Sequence, residues 1–368
     1  MRNPTWPDRL VLLVALLSAS CARSPADPAN ASSDVTAAPA MHCEAGVAGG
    51  RLPPGDGVWL GVNLDWVRDT PAAYGLRVGR HPAVFTSFTP LPIDATHAGY
   101  LDAAVGMLQQ AGGMLLLTVE PHSGLGDVTP AVAEQLALRL AGYNARGVPV
   151  MLRFAHEMNG SWYAWSQQPA AYIEAFRAVA NAVHRLAPGS AMLWAPNYGG
   201  GYPFRGGRYL ATDGSDLRAL DSNGDGRLDG LDDPYASYYP GDDVVDWVGV
   251  SLYHWGAAYP WGSNVLPEPG KFAAMLSGEY DGSAGDERGL PDFYREYGER
   301  RGKPVGIFET AALYAPGRGG ADELALKSAW WSQVFDDDIP QRFPNLKLIN
   351  WFEWDKHEVE INGRVDWG

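Results

Sequence analysis

The chain has 368 residues, of which 46% are hydrophobic and 14 are tryptophan. This is enough apolar material for one large core, and the length does not by itself demand two domains. With 28 Lys and Arg against 43 Asp and Glu, the formal charge is −15, which excludes a nucleic-acid binder, because a phosphate backbone needs a basic face.

The first elements are export signals. MRNPTWPDR carries two arginines, and the apolar run from Leu10 to Leu17 is too short to span a bilayer. Ser18, Ala19, Ser20 and Cys21 follow, similar to a bacterial lipoprotein cleavage box with Ser18 where Leu is usual. The expectation is a signal peptide over 1–20, with lipidation of Cys21 or ordinary cleavage after Ser20. Residues 21–45 are rich in Ala, Pro, Ser and Asp and predict a disordered tether. Cys43 would then be unpaired. Residues 46–368 form the remaining domain, expected to be monomeric and to meet a membrane only through the lipid anchor.

Beyond the tether, strand-like and helix-like segments alternate, as in a parallel sheet with helices outside. Eight strands are predicted: Val58 to Trp66, Ala83 to Thr89, Met114 to Pro121, a fourth opening at Val148, Ala191 to Tyr198, Val245 to Trp255, Val305 to Thr310 and Leu346 to Trp354. Thr129 and Pro130 start one helix, which Gly147 closes. Tyr172, Ile173, Phe176, Val179, Ala180 and Val183 give the next an apolar face, and Pro188 and Gly189 end it. This is the α/β pattern of a (β/α)8 TIM barrel. The chain stops soon after strand eight, so the last outer helix is expected to be missing.

Function in such a barrel sits at the C-terminal strand ends. Those ends hold Asp65, Glu120, Arg153, His156, Glu157, Asn197, Tyr253, His254, Glu309, Trp351 and Trp354. This clustering predicts an enzyme. HEMNG has Gly160 where a zinc protease needs a second His, and there is neither a G-x-S-x-G elbow nor a G-x-x-x-x-G-K-[ST] loop.

The block HEMNGSWYAW, residues 156–165, resembles the signature of glycoside hydrolase family 26, retaining endo-glycanases of the barrel clan. The resemblance implies that Glu157 is the general acid/base, and VGIFETAAL resembles the family's nucleophile strand, with Glu309 as nucleophile. It also implies that Arg153 binds the nucleophile carboxylate, that His156 contacts sugar, and that Tyr253 orients the nucleophile. Ser251 stands where many members have Asp. Retention needs two carboxyl groups about 5–5.5 Å apart with opposed proton affinities, and a barrel brings the ends of strands four and seven across one mouth.

Further substrate contacts are expected from Trp162, Tyr163 and Trp165 at neighbouring subsites, from Glu120 and Asn197 at the rim, and from Trp351 as the floor under the cleaved sugar, with Trp354 as the alternative. Trp59, Trp194 and Trp330 are assigned to the core. The resulting expectation is hydrolysis of internal β-glycosidic bonds in β-1,4-mannan or mixed-linkage β-glucan. The alternatives are β-1,3-xylan as substrate, or a catalytically inactive barrel that binds polysaccharide.

Between strands five and six, DSNGDGRLDGLD has the spacing of a calcium loop. Asp221, Asn223, Asp225, the Arg227 carbonyl, Asp229 and Asp232 are the expected ligands. Such an ion would be structural, since no cofactor is needed for hydrolysis by paired carboxylates.

Overall fold

The computed structural model describes residues 53–212, 214–282 and 285–368. The expected signal peptide, the tether and both cysteines lie outside the described residues. No helix among the described residues is long and apolar enough to cross a membrane.

Eight parallel strands close into a barrel. They are β1 (Trp59–Asn63), β2 (Val84–Pro90), β3 (Met114–Glu120), β4 (Val150–Phe154), β5 (Ser190–Trp194), β6 (Trp247–Ser251), β7 (Val305–Thr310) and β8 (Leu346–Phe352). Closure is made by β1 against β8, in a register that sets Trp59 opposite Leu348 and Asn63 opposite Phe352. The expected barrel is therefore present, but its first, fifth, sixth and eighth strands stop short of the predicted ends. There the chain leaves the ladder for loops around the mouth.

Alternation along the strands sorts side chains into two cores. Val84, Met114, Leu116, Met151, Leu193, Trp247, Phe308 and Leu348 fill the lumen, so the barrel is packed rather than hollow. Gly249 and Gly306 make room for Phe308: a Cβ on Gly306 would lie 2.2 Å from its ring, and one on Gly249 would lie 2.0 Å from the Gly306 carbonyl. The larger core lies between strands and helices, where Trp194 and Trp330 are fully buried. Trp59 stacks on Trp247 with centroids 5.8 Å apart. All three tryptophans are packing residues, as expected.

The outer helices are α1 (Pro71–Val78), α2 (Ala95–Ala111), α3 (Pro130–Ala145), α4 (Pro169–Leu186), α5 (Gly214–Leu220), α6 (Lys271–Leu276), α7 (Glu323–Val334) and α8 (Ile339–Arg342). The Thr129 hydroxyl caps α3 by accepting from the Val132 N–H, with Pro130 in the first turn. Gly147, with φ of 81°, follows that helix and turns the chain into β4. Tyr172, Phe176, Val179, Ala180 and Val183 form the buried face of α4.

After β8 the described chain makes an antiparallel hairpin, Asp355–Glu358 against Gly363–Asp366. Lys327 of α7 ties the hairpin to the barrel through Asp366 at 2.9 Å. Trp367 is buried beyond it.

Candidate active site

Two glutamates reach the mouth from opposite sides by different local devices. β4 ends at Phe154, and the next residues include two left-handed positions, Ala155 with φ of 44° and Glu157 with φ of 53°. Each such residue costs about 1–3 kcal/mol unless its surroundings hold it. Here the Ala155 N–H donates to the Val119 carbonyl at 3.0 Å and the Glu157 N–H to the Ala195 carbonyl at 2.8 Å. The chain ends of β3 and β5 thus clamp the turn that presents Glu157.

Glu309 arrives through a bulge in β7. Val250 faces Ile307, but the next residue of β6, Ser251, faces Glu309, and the ladder with β8 also slips between Ile307 and Thr310. The extra residue lets Phe308 and Glu309, neighbours in sequence, both serve the lumen side. Thr310 then turns outward, where its hydroxyl accepts from the Trp330 indole at 2.9 Å.

Arg153, fully buried on β4, pairs its guanidinium with Glu309 Oε1 and lies over the Phe88 ring at 5.7 Å. The other oxygen, Glu309 Oε2, accepts from the Tyr253 hydroxyl at 2.6 Å. Glu157 has weaker company: its Oε2 accepts from the Trp162 indole at 3.0 Å. Burial, and next the negative charge of Glu309, push the Glu157 carboxyl up to about 7, against the opposing pull of the Ser251 hydroxyl, Arg153 and the Trp162 indole. One glutamate is therefore held in an ion pair, while the other keeps a proton into the neutral range.

The rest of the rim is aromatic. His156 is buried between Phe88, at 6.0 Å, and Tyr163, at 5.0 Å. Burial, assisted by Arg153, depresses its basicity well below that of a free imidazole, so it is neutral. Glu120 sits 3.4 Å from His122 Nε2 and raises that imidazole's proton affinity. Asn159 fixes the end of β5 through paired 2.8 Å bonds to the Asn197 backbone, accepting from its N–H and donating to its carbonyl. Trp162, exposed at 38%, presents a ring to solvent beside Glu157.

Two expected sugar contacts are corrected. Trp351 is not a floor at the mouth: it is buried on the outer face of β8 against Trp331 and Phe335, with centroids 5.4 and 6.2 Å away. Its neighbours Asn350 and Phe352 take the inward side. Asn350 donates to the Phe308 carbonyl at 2.9 Å, and Phe352 packs against Tyr253 at 5.9 Å. Trp165 lines no subsite either. It is fully buried, donates its indole N–H to the His156 carbonyl at 2.7 Å, and stacks beneath Tyr163 at 4.4 Å.

Three residues of the site were not singled out as contacts from sequence: Phe88, Phe352 and Trp367. Phe88 was readable from its alternation with Thr86 on β2. Trp367 packs on Tyr253 at 5.0 Å only because the terminal hairpin folds back, and no local pattern announces that.

The acidic loop after α5 folds onto its own backbone. Asp221 accepts from the Asp225 and Gly226 N–H groups, Asp225 from Arg227, Asp229 from Leu231, and Asp232 from Ser222 and Asp229. Among the described residues no three His, Cys, Asp or Glu side chains converge to hold a metal ion. As folded, the donor set is turned to N–H groups rather than to a common centre.

Residues 118–196, which run from β3 to just past β5, match the family model Glycosyl hydrolase family 26. Endoglucanase H of Acetivibrio thermocellus is 27% identical over 161 residues, a stretch that is 41% of this chain and 15% of that protein. A modular endo-β-1,4-mannanase from Cellulomonas fimi is similar in structure at a TM-score of 0.50, with 16% identity, covering 81% of this chain and 66% of that one. A mannanase of Bacillus subtilis aligns at a TM-score of 0.45 and 15% identity, over 83% and 82% of the two chains. The likeness to the Cellulomonas fimi enzyme is one of fold.

Proposed function

We propose, from the match of residues 118–196 to the model of glycosyl hydrolase family 26, that this chain hydrolyses internal β-glycosidic bonds of a neutral polysaccharide by retaining double displacement. The observation that carries the reading is the unlike pair at one mouth. Glu309 is paired with the Arg153 guanidinium and aligned by the Tyr253 hydroxyl, while the Glu157 carboxyl is pushed up to about 7.

In this mechanism Glu157 protonates the leaving glycosidic oxygen as Glu309 attacks the anomeric carbon and forms a glycosyl ester. Glu157, now ionised, then takes a proton from water, and the resulting hydroxide displaces Glu309. Arg153 and Tyr253 receive the carboxylate back as the ester breaks. His156, Tyr163 and Trp162 are the sugar contacts nearest this chemistry. Glu120 and Asn197 belong to the same rim.

The substrates we favour are β-1,4-mannan and mixed-linkage β-glucan, because the similar proteins include an endoglucanase and an endo-β-1,4-mannanase. The chain is read as exported, with a lipid anchor at Cys21. A structural calcium ion at 221–232 rests on residue spacing alone and requires Asp221, Asp225 and Asp229 to turn inward.

The test is proton NMR of the first products from mannan and from barley β-glucan. Initial release of the β-anomer supports the reading. Initial α-anomer, or no product from either glycan, contradicts it.

A further inference from the structure

The loop after β6 carries an aromatic run that the catalytic pair does not use. Tyr253, bonded to Glu309, lies 6.3 Å from Trp255, which lies 6.5 Å from Trp261, which lies 6.1 Å from Tyr259. Exposure rises along this run: Tyr253, Trp255 and Trp261 are half-buried, whereas Tyr259 is exposed at 72%. Trp367 supports it from behind, 5.0 Å from both Tyr253 and Trp255.

A loop with solvent-facing rings is expected to be loose, yet this one is pinned by buried polar groups. Lys271, 5% exposed, donates to the Gly256 carbonyl at 3.0 Å. His254, fully buried, bonds the Val265 carbonyl through Nε2 at 2.7 Å. Asn264, 2% exposed, donates to the Ala315 carbonyl at 3.0 Å and accepts from the Ala315 N–H at 2.7 Å. Burying a lysine and an asparagine is unfavourable unless they are fully bonded, so a good deal of structure is committed to holding this loop in place. Exposed rings on a rigid, cleft-adjacent support mark a binding surface rather than a packing accident.

We infer that Trp255, Tyr259 and Trp261 form a distal sugar-binding arm, extending the cleft outward from the Glu309 side and stacking β-linked hexose units beyond those around the scissile bond. The inference rests on the hydrolase reading above and adds a chain-length preference to it. Rings with a polar edge and an apolar face suit a sugar's hydroxyl rim and C–H face. The net charge of −15 disfavours an acidic glycan, so the arm takes neutral chains.

The test uses the full chain with β-1,4-manno-oligosaccharides and mixed-linkage gluco-oligosaccharides of three and six units. Tyr259→Ala and the double variant Tyr259→Ala/Trp261→Ala are expected to lower kcat/KM on the hexasaccharide by about threefold and about tenfold, as loss of one or two ring contacts implies. The trisaccharide should change by less than about twofold, with kcat retained on both. Equal losses at both lengths, or none at either, overturn the arm while leaving the hydrolase reading in place; surface exposure of these rings would then belong to a protein contact. If the unaltered chain cleaves neither series, the hydrolase reading itself fails and the arm fails with it.

Discussion

The ends of β4 and β7 both present a glutamate to the same mouth, and they differ in what surrounds it. Around Glu309 the protein supplies a buried guanidinium and a phenolic O–H, one for each carboxylate oxygen. Around Glu157 it supplies burial and weaker polar company, the Trp162 indole N–H and the Ser251 hydroxyl. Two chemically identical groups thereby sit in unlike settings. Partners hold both oxygens of one carboxylate, whereas burial and the neighbouring charge keep the other protonated, the difference that the proposed roles of nucleophile and acid require.

The strongest way to break this comparison is to delete each side in turn. Glu309→Ala should lower kcat on polysaccharide by on the order of 10⁴-fold or more, because no covalent intermediate can form. Glu157→Ala should lower it by about 10²–10⁴-fold and much less with an aryl glycoside, whose leaving group needs no proton. Azide should rescue that variant and give a β-glycosyl azide, detected by mass spectrometry and NMR. Rescue of Glu309→Ala to a β-azide, or near-normal turnover in either variant, would exchange or remove the roles.

Next in size is the ion pair. Arg153→Met leaves the Glu309 charge buried without its cation, and is expected to destabilise the fold by about 3–5 kcal/mol in urea unfolding while abolishing most activity. A stability equal to that of the unaltered protein would mean that Glu309 does not depend on Arg153.

Linkage gives a third prediction with a definite sign. The Glu157 carboxyl is raised from 4.5 to about 7 in the fold, so the stability it contributes is complete below pH 4.5 and is lost as pH rises through 7. Glu157→Gln should accordingly gain stability relative to the unaltered chain at pH 8, by on the order of 1–3 kcal/mol, and gain little at pH 4. Thermal unfolding at the two pH values checks it.

Smaller effects sharpen the account. The Trp162 indole stabilises the Glu157 carboxylate, so Trp162→Phe should move the basic limb of the kcat/KM profile upward in pH; a downward move would contradict that role. Calcium at millimolar concentration should raise the melting temperature relative to EDTA by mass action if the 221–232 loop binds it, with Asp225→Ala abolishing the rise. Coincident melting curves would leave the loop as a self-bonded acidic surface.

The sequence made the barrel legible because apolar runs and helix punctuation alternate eight times, and each run carries its own polar end. Glu157, Glu309, Arg153 and Tyr253 meet where a closed barrel must bring them. What it hid were departures from strict alternation. The bulge at Phe308 and Glu309 slips the β7–β8 ladder, and Trp351 falls on the outward phase of β8 while Phe352 takes the mouth. Trp165 sits in the aromatic block yet turns under Tyr163, since its N–H finds the His156 carbonyl. The contribution of Trp367 depends on a hairpin formed across residues 355–366, which no window centred on β8 contains.

The central claim is that burial and the Glu309 charge hold the Glu157 carboxyl protonated near neutrality, and the most direct measurement is carbon-13 NMR titration of side-chain carboxyls in glutamate-labelled protein. The resonance that disappears in Glu157→Gln is predicted to titrate near pH 7, and to titrate lower in Glu309→Gln, where the neighbouring charge is gone. A midpoint near 4.5 in the unaltered protein would contradict the assignment of Glu157 as the acid.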